Sequence, residues 1–319
     1  MIKLFKNLFS NSNCQTEESK QKNELKNFEI LKYDGIRAQR IGKWIYAEKC
    51  FKEAIRINPE LETMELLVRT SLQLNKLDQA EDILQQMTGI SPQQAGVYIE
   101  LAHIYDLKEN YNEMLNAAQK ANELEPENEY AYYQQAQAYH KQNDVINAIR
   151  TLTLAIARKE DFIAAYLMRG KILLNLKQLS EVEADINILL EKAPDNEDVL
   201  LLAGDFWRYK NNKEKAISYY KQVIESNPFN EKGYELAALL FIDNKEWQNG
   251  INLLNEGIEN CEAAILYQLR GLCRLETGDK EGSMADMKKV MELNPNTEKE
   301  INGQFNNFEN IFKSNNPLG

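Results

Sequence analysis

The sequence predicts an all-α chain built from a run of stacked helical hairpins, and three observations carry that prediction. Six of the seven prolines (Pro59, Pro92, Pro126, Pro194, Pro228 and Pro295) are separated by 33, 34, 68, 34 and 67 residues, one or two periods of about 34 each time. Proline has no N–H to give a helix interior, so proline at constant phase is a recurring helix break. Two small-residue columns share the period: Gly35, Val68, Ala102, Ala136, Gly170, Gly204, Ala238 and Gly271, and, twelve residues on, Ala47, Ala80, Met114, Ala148, Val182, Ala216, Gly250 and Ser283. Two large-residue columns accompany them: Ala38, Ser71, Tyr105, Tyr139, Leu173, Trp207, Phe241 and Arg274, and Phe51, Leu84, Ala118, Leu152, Ile186, Tyr220, Leu254 and Met287. Helix backbones approach closely at small residues, and large side chains on one helix fill the space left by small ones on its neighbour. A period of this size marks an array in which each unit buries its apolar face against the next.

In chain order, the first element is Met1–Ser10, whose Met1, Ile2, Leu4, Phe5, Leu8 and Phe9 share one arc of a helix while Lys3, Lys6, Asn7 and Ser10 take the rest. That pattern suits a cap on the first repeat, a membrane-surface helix or a helix docking in a protein groove, or a free tail. The polar stretch Asn11–Lys26 is expected to be a tether. The repeats then run from residue 28 to 295, with Glu160 and Glu262 standing where prolines belong, so those two turns need other chemistry. The seventh repeat carries Gly250 and Gly257 where alanine is usual, and helical glycine costs about 1 kcal/mol, so it is expected to be the loosest internal repeat. After Pro295, Ile301, Phe305, Phe308 and Phe312 recur at helical spacing, and a helix over 297–312 is expected to cover the open face of the last repeat.

The columns, carried almost whole by Tyr98–Pro126 and Leu200–Pro228, resemble the tetratricopeptide repeat family over about eight consecutive repeats. The resemblance implies a right-handed α-α superhelical solenoid in three parts: an N-terminal segment and tether (1–27), the repeats (28–295), and a C-terminal capping helix and tail (296–319). It also implies that first helices line a concave face. Residues in phase to face inward there are Lys32 and Arg69, then His103, Asp106, Tyr130, Tyr133, Gln137 and His140, and further on Lys171, Asp205, Arg208, Tyr209 and Lys232. Tyr130, Tyr133 and His140 join apolar area to polar tips, the chemistry favoured at binding hot spots. Some family members grip a peptide's C-terminal carboxylate with a lysine–asparagine clamp, and no three neighbouring repeats here carry that arrangement.

Composition narrows the function. The net charge of −11 argues against nucleic acid, which needs clustered Lys and Arg. Residues 1–27 carry five lysines and three glutamates, so any anionic surface contact belongs to that end, and ten residues alone would hold a membrane weakly. No run of 18 apolar residues suggests a span. The four cysteines (Cys14, Cys50, Cys261, Cys273) and two histidines assemble no zinc spacing and read as isolated thiols of a reducing compartment, hence the cytoplasm. Phosphate-cradling glycine loops, nucleophile elbows and zinc-protease helices have no match. His103 and His140 are the remaining acid–base candidates, and polar lining of the inner face explains both. No enzyme activity, cofactor or metal is expected. The reading is a cytoplasmic scaffold or adaptor that holds a protein or peptide; the alternatives are a membrane-surface assembly factor anchored by residues 1–10, and a substrate-recruiting subunit of an enzyme complex.

Overall fold

A computed structural model describes residues 17–294, and every regular element within them is an α-helix. The helices divide into two units between Arg158 and Lys159. Unit 1 holds α1 (Glu17–Arg40), α2 (Trp44–Ile57), α3 (Leu61–Gln73), α4 (Leu77–Ile90), α5 (Ala95–Leu107), α6 (Tyr111–Leu124), α7 (Glu129–Lys141) and α8 (Val145–Arg158). Unit 2 holds α9 (Ile163–Asn175), α10 (Leu179–Lys192), α11 (Glu197–Tyr209), α12 (Lys213–Ser226), α13 (Glu231–Asp243), α14 (Trp247–Asn260), α15 (Ala264–Glu276) and α16 (Lys280–Leu293). Within each unit every helix packs on its chain neighbours, the hairpin solenoid that the columns predict. The segments read as an N-terminal amphipathic helix (1–10) and as a C-terminal cap (297–312) lie outside the described residues.

The turn inside each hairpin has one design. Gly42, Asn75, Glu109, Asn143, Lys177, Asn211, Lys245 and Gly278 all take left-handed backbone angles, with φ between 54 and 87°. At Asn75 the next amide, Lys76 N, donates to Ser71 O (2.8 Å) while Asn75 N donates to Leu72 O (3.0 Å), the paired bonds of a Schellman cap. The same bonds recur at Asn110 N to Tyr105 O and Asp144 N to Tyr139 O, both 2.8 Å. Only two of the eight positions use glycine, so the packed hairpin imposes the conformation on residues that adopt it at a cost.

At three of the turns between hairpins, proline stops one helix and an asparagine two residues later starts the next. Asn128, Asn196 and Asn230 cap α7, α11 and α13, each side-chain oxygen accepting from a first-turn amide (Tyr130 N 3.1 Å, Val199 N 3.2 Å, Gly233 N 3.2 Å). Where Glu160 and Glu262 replace proline, the chain still turns with short backbone bonds, Ile163 N to Asp161 O (2.9 Å) and Ala263 N to Cys261 O (2.7 Å), like Glu60 N to Asn58 O (2.8 Å) beside Pro59. α1 begins at Glu17, within the stretch expected to be a tether. Glu, Lys and Gln are good helix formers, and from Lys20 to Lys26 their side chains are exposed, so this part of the helix needs no core.

The predicted small columns are buried throughout the described repeats. Phe51 covers Gly35, where an added Cβ would lie 2.5 Å from the ring, and Tyr220 covers Gly204 in the same way. The seventh repeat corrects the expectation of looseness. A Cβ at Gly257 would sit 2.8 Å from Tyr234 Cγ, and one at Gly250 would sit 3.1 Å from Cys273 Sγ, so both glycines are sites of close helix contact.

Ion pairs tie several hairpins to the next within each unit. Lys76 meets Glu48 (2.7 Å), Lys108 meets Asp78 (2.6 Å) and Glu81 (2.5 Å), Lys210 meets Glu183 (2.9 Å), and Lys213 meets Glu246. Inside two hairpins of unit 2, buried carboxylates take arginine in two-pronged fashion: Asp185 from Arg169 (2.9 and 2.5 Å) and Asp286 from Arg270 (3.1 and 2.6 Å).

Candidate binding surface

In unit 1, α1 packs on α3 and α5 on α7, and no pair of second helices there packs as closely. First helices therefore gather on one side of the stack, the side a solenoid of hairpins curves toward. Tyr130, Tyr133, Gln137 and His140 recur along α7 at spacings of three, four and three, so they form one stripe on it. Asn128 fixes the start of that stripe by accepting from Tyr130 N and Ala131 N (3.1 and 3.4 Å). The Tyr130 side chain is 52% exposed and His140 is exposed, whereas Tyr133 and Gln137 are half-buried. Burial pushes the Tyr133 hydroxyl above the usual tyrosine range, so it stays a neutral hydrogen-bonding tip.

On α5, His103 is exposed and Asp106 half-buried, one helical turn apart. Gln134 of α7 donates to Ile99 O of α5 (3.0 Å), which pins the two first helices together. Unit 1 thus brings His103 and Asp106 onto a helix directly packed against the one that carries the two tyrosines and His140. Lys32, in phase to face inward, is committed elsewhere: it is buried and donates to Glu60 (2.7 Å) and Glu62 (2.5 Å). Burial would lower its pKa, but those two bonds outweigh it and hold the ammonium above the usual range.

In unit 2, α9 packs on α11, and their first-helix positions carry Lys171, Asp205 and Arg208. Lys171 is exposed and sits 3.0 Å from Asp198, while Arg208 is half-buried. Asp205 accepts from the Tyr220 hydroxyl (2.7 Å), so this carboxylate also holds the α11–α12 hairpin together. Burial raises its pKa above the usual carboxylate range, opposed by the Tyr220 bond and by the nearby Arg208, Lys232 and Lys171.

One feature of unit 1 escapes a column reading. A cavity of about 180 Å³ opens among α3, α4 and α5, lined in part by Glu65, Arg69, Gly96 and Glu100. Its sequence signal is the position holding Glu62 in α3 and Tyr130 in α7, which in α5 is Gly96 and has no side chain at all.

Consecutive two-helix repeats of about 34 residues, with first helices gathered on one side, define an α-helical solenoid of the binding type. A family profile described as "Tetratricopeptide repeat" matches residues 95–128, 129–162, 198–230 and 264–297. The chain belongs to the tetratricopeptide-repeat proteins, a family of interaction scaffolds that are generally non-catalytic. Its sequence is similar to DnaJ homolog subfamily C member 3 of Rattus norvegicus, 29% identical over 176 residues, which is 54% of this chain and 31% of that protein. The chain thus spans about a third of the length of that relative. Among solved structures it shares its fold with a tetratricopeptide repeat protein from Parabacteroides merdae (TM-score 0.55, 18% identical, 86% of this chain and 96% of that one). A chain of the APC/C hetero-tetramer Cut9–Hcn1 is similar at the same TM-score of 0.55 (14% identical, 83% of this chain and 53% of that one). Among the described residues no helix is long and apolar enough to cross a membrane.

Proposed function

We propose that the chain is a non-catalytic cytoplasmic scaffold or adaptor that holds a protein or peptide partner on the first-helix face of unit 1. One observation carries the proposal: Tyr130, Tyr133, Gln137 and His140 form a single stripe on α7, beside His103 and Asp106 on the α5 helix packed against it. Aromatic area, hydrogen-bonding tips and a carboxylate within two neighbouring helices are what a hot spot uses. The test starts from partners co-purified with the tagged chain in its native cell. Each is made recombinantly and titrated against wild-type, Tyr130→Ala/His140→Ala and Glu123→Ala chains. The double variant is expected to lose more than about 2 kcal/mol of binding, the usual hot-spot threshold, with helical content unchanged. Glu123, an exposed residue of α6 paired with Lys120 (2.9 Å), should matter little. Undiminished affinity of the double variant for every such partner would sink the assignment.

A further inference from the structure

α3 and α5 pack less closely than α5 and α7, and the gap between them opens into the cavity of about 180 Å³. Its floor is apolar, made by Val68 from α3, Leu84 and Met87 from α4, and Val97 from α5. Its size is comparable with the roughly 150 Å³ apolar cavity that admits a benzene ring, so it has room for one large side chain. Glu65, Arg69 and Glu100 also line it, and none of the three forms an ion pair among the described residues. Lys32, farther along the same side of the unit, is by contrast matched by Glu60 and Glu62.

Gly96 lines the cavity and is itself exposed. It is the second residue of α5, where glycine weakens a helix, yet a Cβ built on it would meet nothing within 4 Å. Gly204 and Gly257 are required by a ring lying on them; no packed neighbour requires Gly96. Any side chain at this position would project into the free space beside the lining.

We propose that this cavity is a peptide subsite. It receives one large apolar side chain (Leu, Met or Phe) of an extended peptide, with a lysine or arginine beside that residue held by Glu65 and Glu100. Two carboxylates against one guanidinium favour cationic flanks, and Arg69 is left to take a peptide carbonyl oxygen. The inference rests on the reading of the first-helix face of unit 1 as a peptide-binding surface, and it names the ligand class for the α3–α5 end of that face.

The test uses the full chain and a fluorescent nine-residue peptide, Gly-Ser-Gly-Lys-Leu-Lys-Gly-Ser-Gly, followed by anisotropy. Two sister peptides replace its Leu by Ala or both its Lys by Glu. Saturable binding of the parent peptide is expected, weakened at least tenfold by the Leu→Ala change. Gly96→Leu should plug the cavity and weaken binding at least tenfold while leaving the thermal midpoint equal or higher. Glu65→Gln with Glu100→Gln should weaken it severalfold and flatten its dependence on salt. No saturable binding by the wild-type chain, equal binding of the Ala peptide, or tighter binding of the Glu peptide would each overturn the subsite; the peptide comparisons hold even if Gly96→Leu misfolds. Full binding by a folded Gly96→Leu chain, together with loss of a native partner in Tyr130→Ala/His140→Ala, would overturn the subsite alone and leave the broader reading standing.

Discussion

The same place in the repeat is built differently in two hairpins of unit 1 and two of unit 2. In unit 1, the hairpins α3–α4 and α5–α6 bury Leu67 with Ile83 and Leu101 with Ala117 in one apolar cluster. In unit 2, the equivalent positions of α9–α10 and α15–α16 hold Arg169 with Asp185 and Arg270 with Asp286. Both solutions leave the inward residue of the second helix almost fully covered: Ile83 is 6% exposed and Asp185 2%. The hairpin therefore demands that the position be filled and its polar atoms satisfied, and apolarity is only one way to meet that demand. The two solutions differ in how they fail. An apolar pair loses area by degrees, whereas an ion pair deprived of one member strands a charge.

That contrast is broken most sharply at Asp185. Asp185→Ala should cost about 1.5–3 kcal/mol in urea melts because Arg169 loses both of its charge-assisted bonds to that carboxylate. Copying unit 1 into unit 2, as Arg169→Leu with Asp185→Ile, should recover that loss or improve on the wild type by up to about 4 kcal/mol. If the double variant melts as low as the single one, the two solutions are not interchangeable.

A second pair of matched positions gives a smaller effect. Ala102 and Ala118 are both small in α5–α6, whereas α11–α12 sets Gly204 under Tyr220. Gly204→Ala should destabilise by about 1–3 kcal/mol through overpacking, and Gly204→Ala with Tyr220→Leu should regain part of it. A thermal midpoint at or above wild type for the single change would show that the ring can move aside.

Acid should separate the units more gently. Burial raises the Glu48 pKa, but the bonds from Lys52 and Lys76 outweigh that and hold it below the usual glutamate range. A depressed folded-state pKa contributes stability above the unfolded value, and that contribution is lost as pH falls through the folded one. Because both lysines are nearly half exposed, the contribution is roughly 1 kcal/mol or less. Glu48→Gln should therefore lower stability at pH 7 and flatten its fall below pH 4.5. A wild-type pH profile that Glu48→Gln leaves unchanged would remove the carboxylate from the account.

The smallest effect is a gain, the same in both units. Glu109 and Lys177 carry φ of 56 and 58° in the hairpin turns. Relief of the left-handed conformation should let Glu109→Gly and Lys177→Gly each stabilise by up to about 1 kcal/mol, less whatever the unfolded glycine gains in freedom. Losses at both sites would mean that the side chains contribute more than the strain costs.

Much of this architecture is legible in the chain because proline and the small columns act through sterics that do not depend on context. The left-handed turn column is not, since Gly42, Asn75, Glu109 and Lys177 share a backbone angle but no chemistry. The glycines of the seventh repeat mislead for a related reason: propensity treats Gly250 and Gly257 as weak points, while their meaning lies in Cys273 and Tyr234, on other helices. The candidate surface divides the same way. Phase puts Tyr130, Tyr133, Gln137 and His140 on one stripe of α7, but Asp205 shares its carboxylate with Tyr220 and Lys32 is sealed against Glu60. The cavity beside Gly96 is hardest to read, because its signal is a missing side chain.

The ion pairs between hairpins have one more consequence. Lys108 needs Asp78 and Glu81 from the preceding hairpin, and Lys210 needs Glu183 from the one before it. Each of these junctions thus carries its own lock and key, and the locks differ. A hairpin excised, duplicated or moved along the chain would arrive with charges cut for another neighbour. The repeats look interchangeable by their columns, yet the chain numbers them, and their order is part of what its sequence specifies.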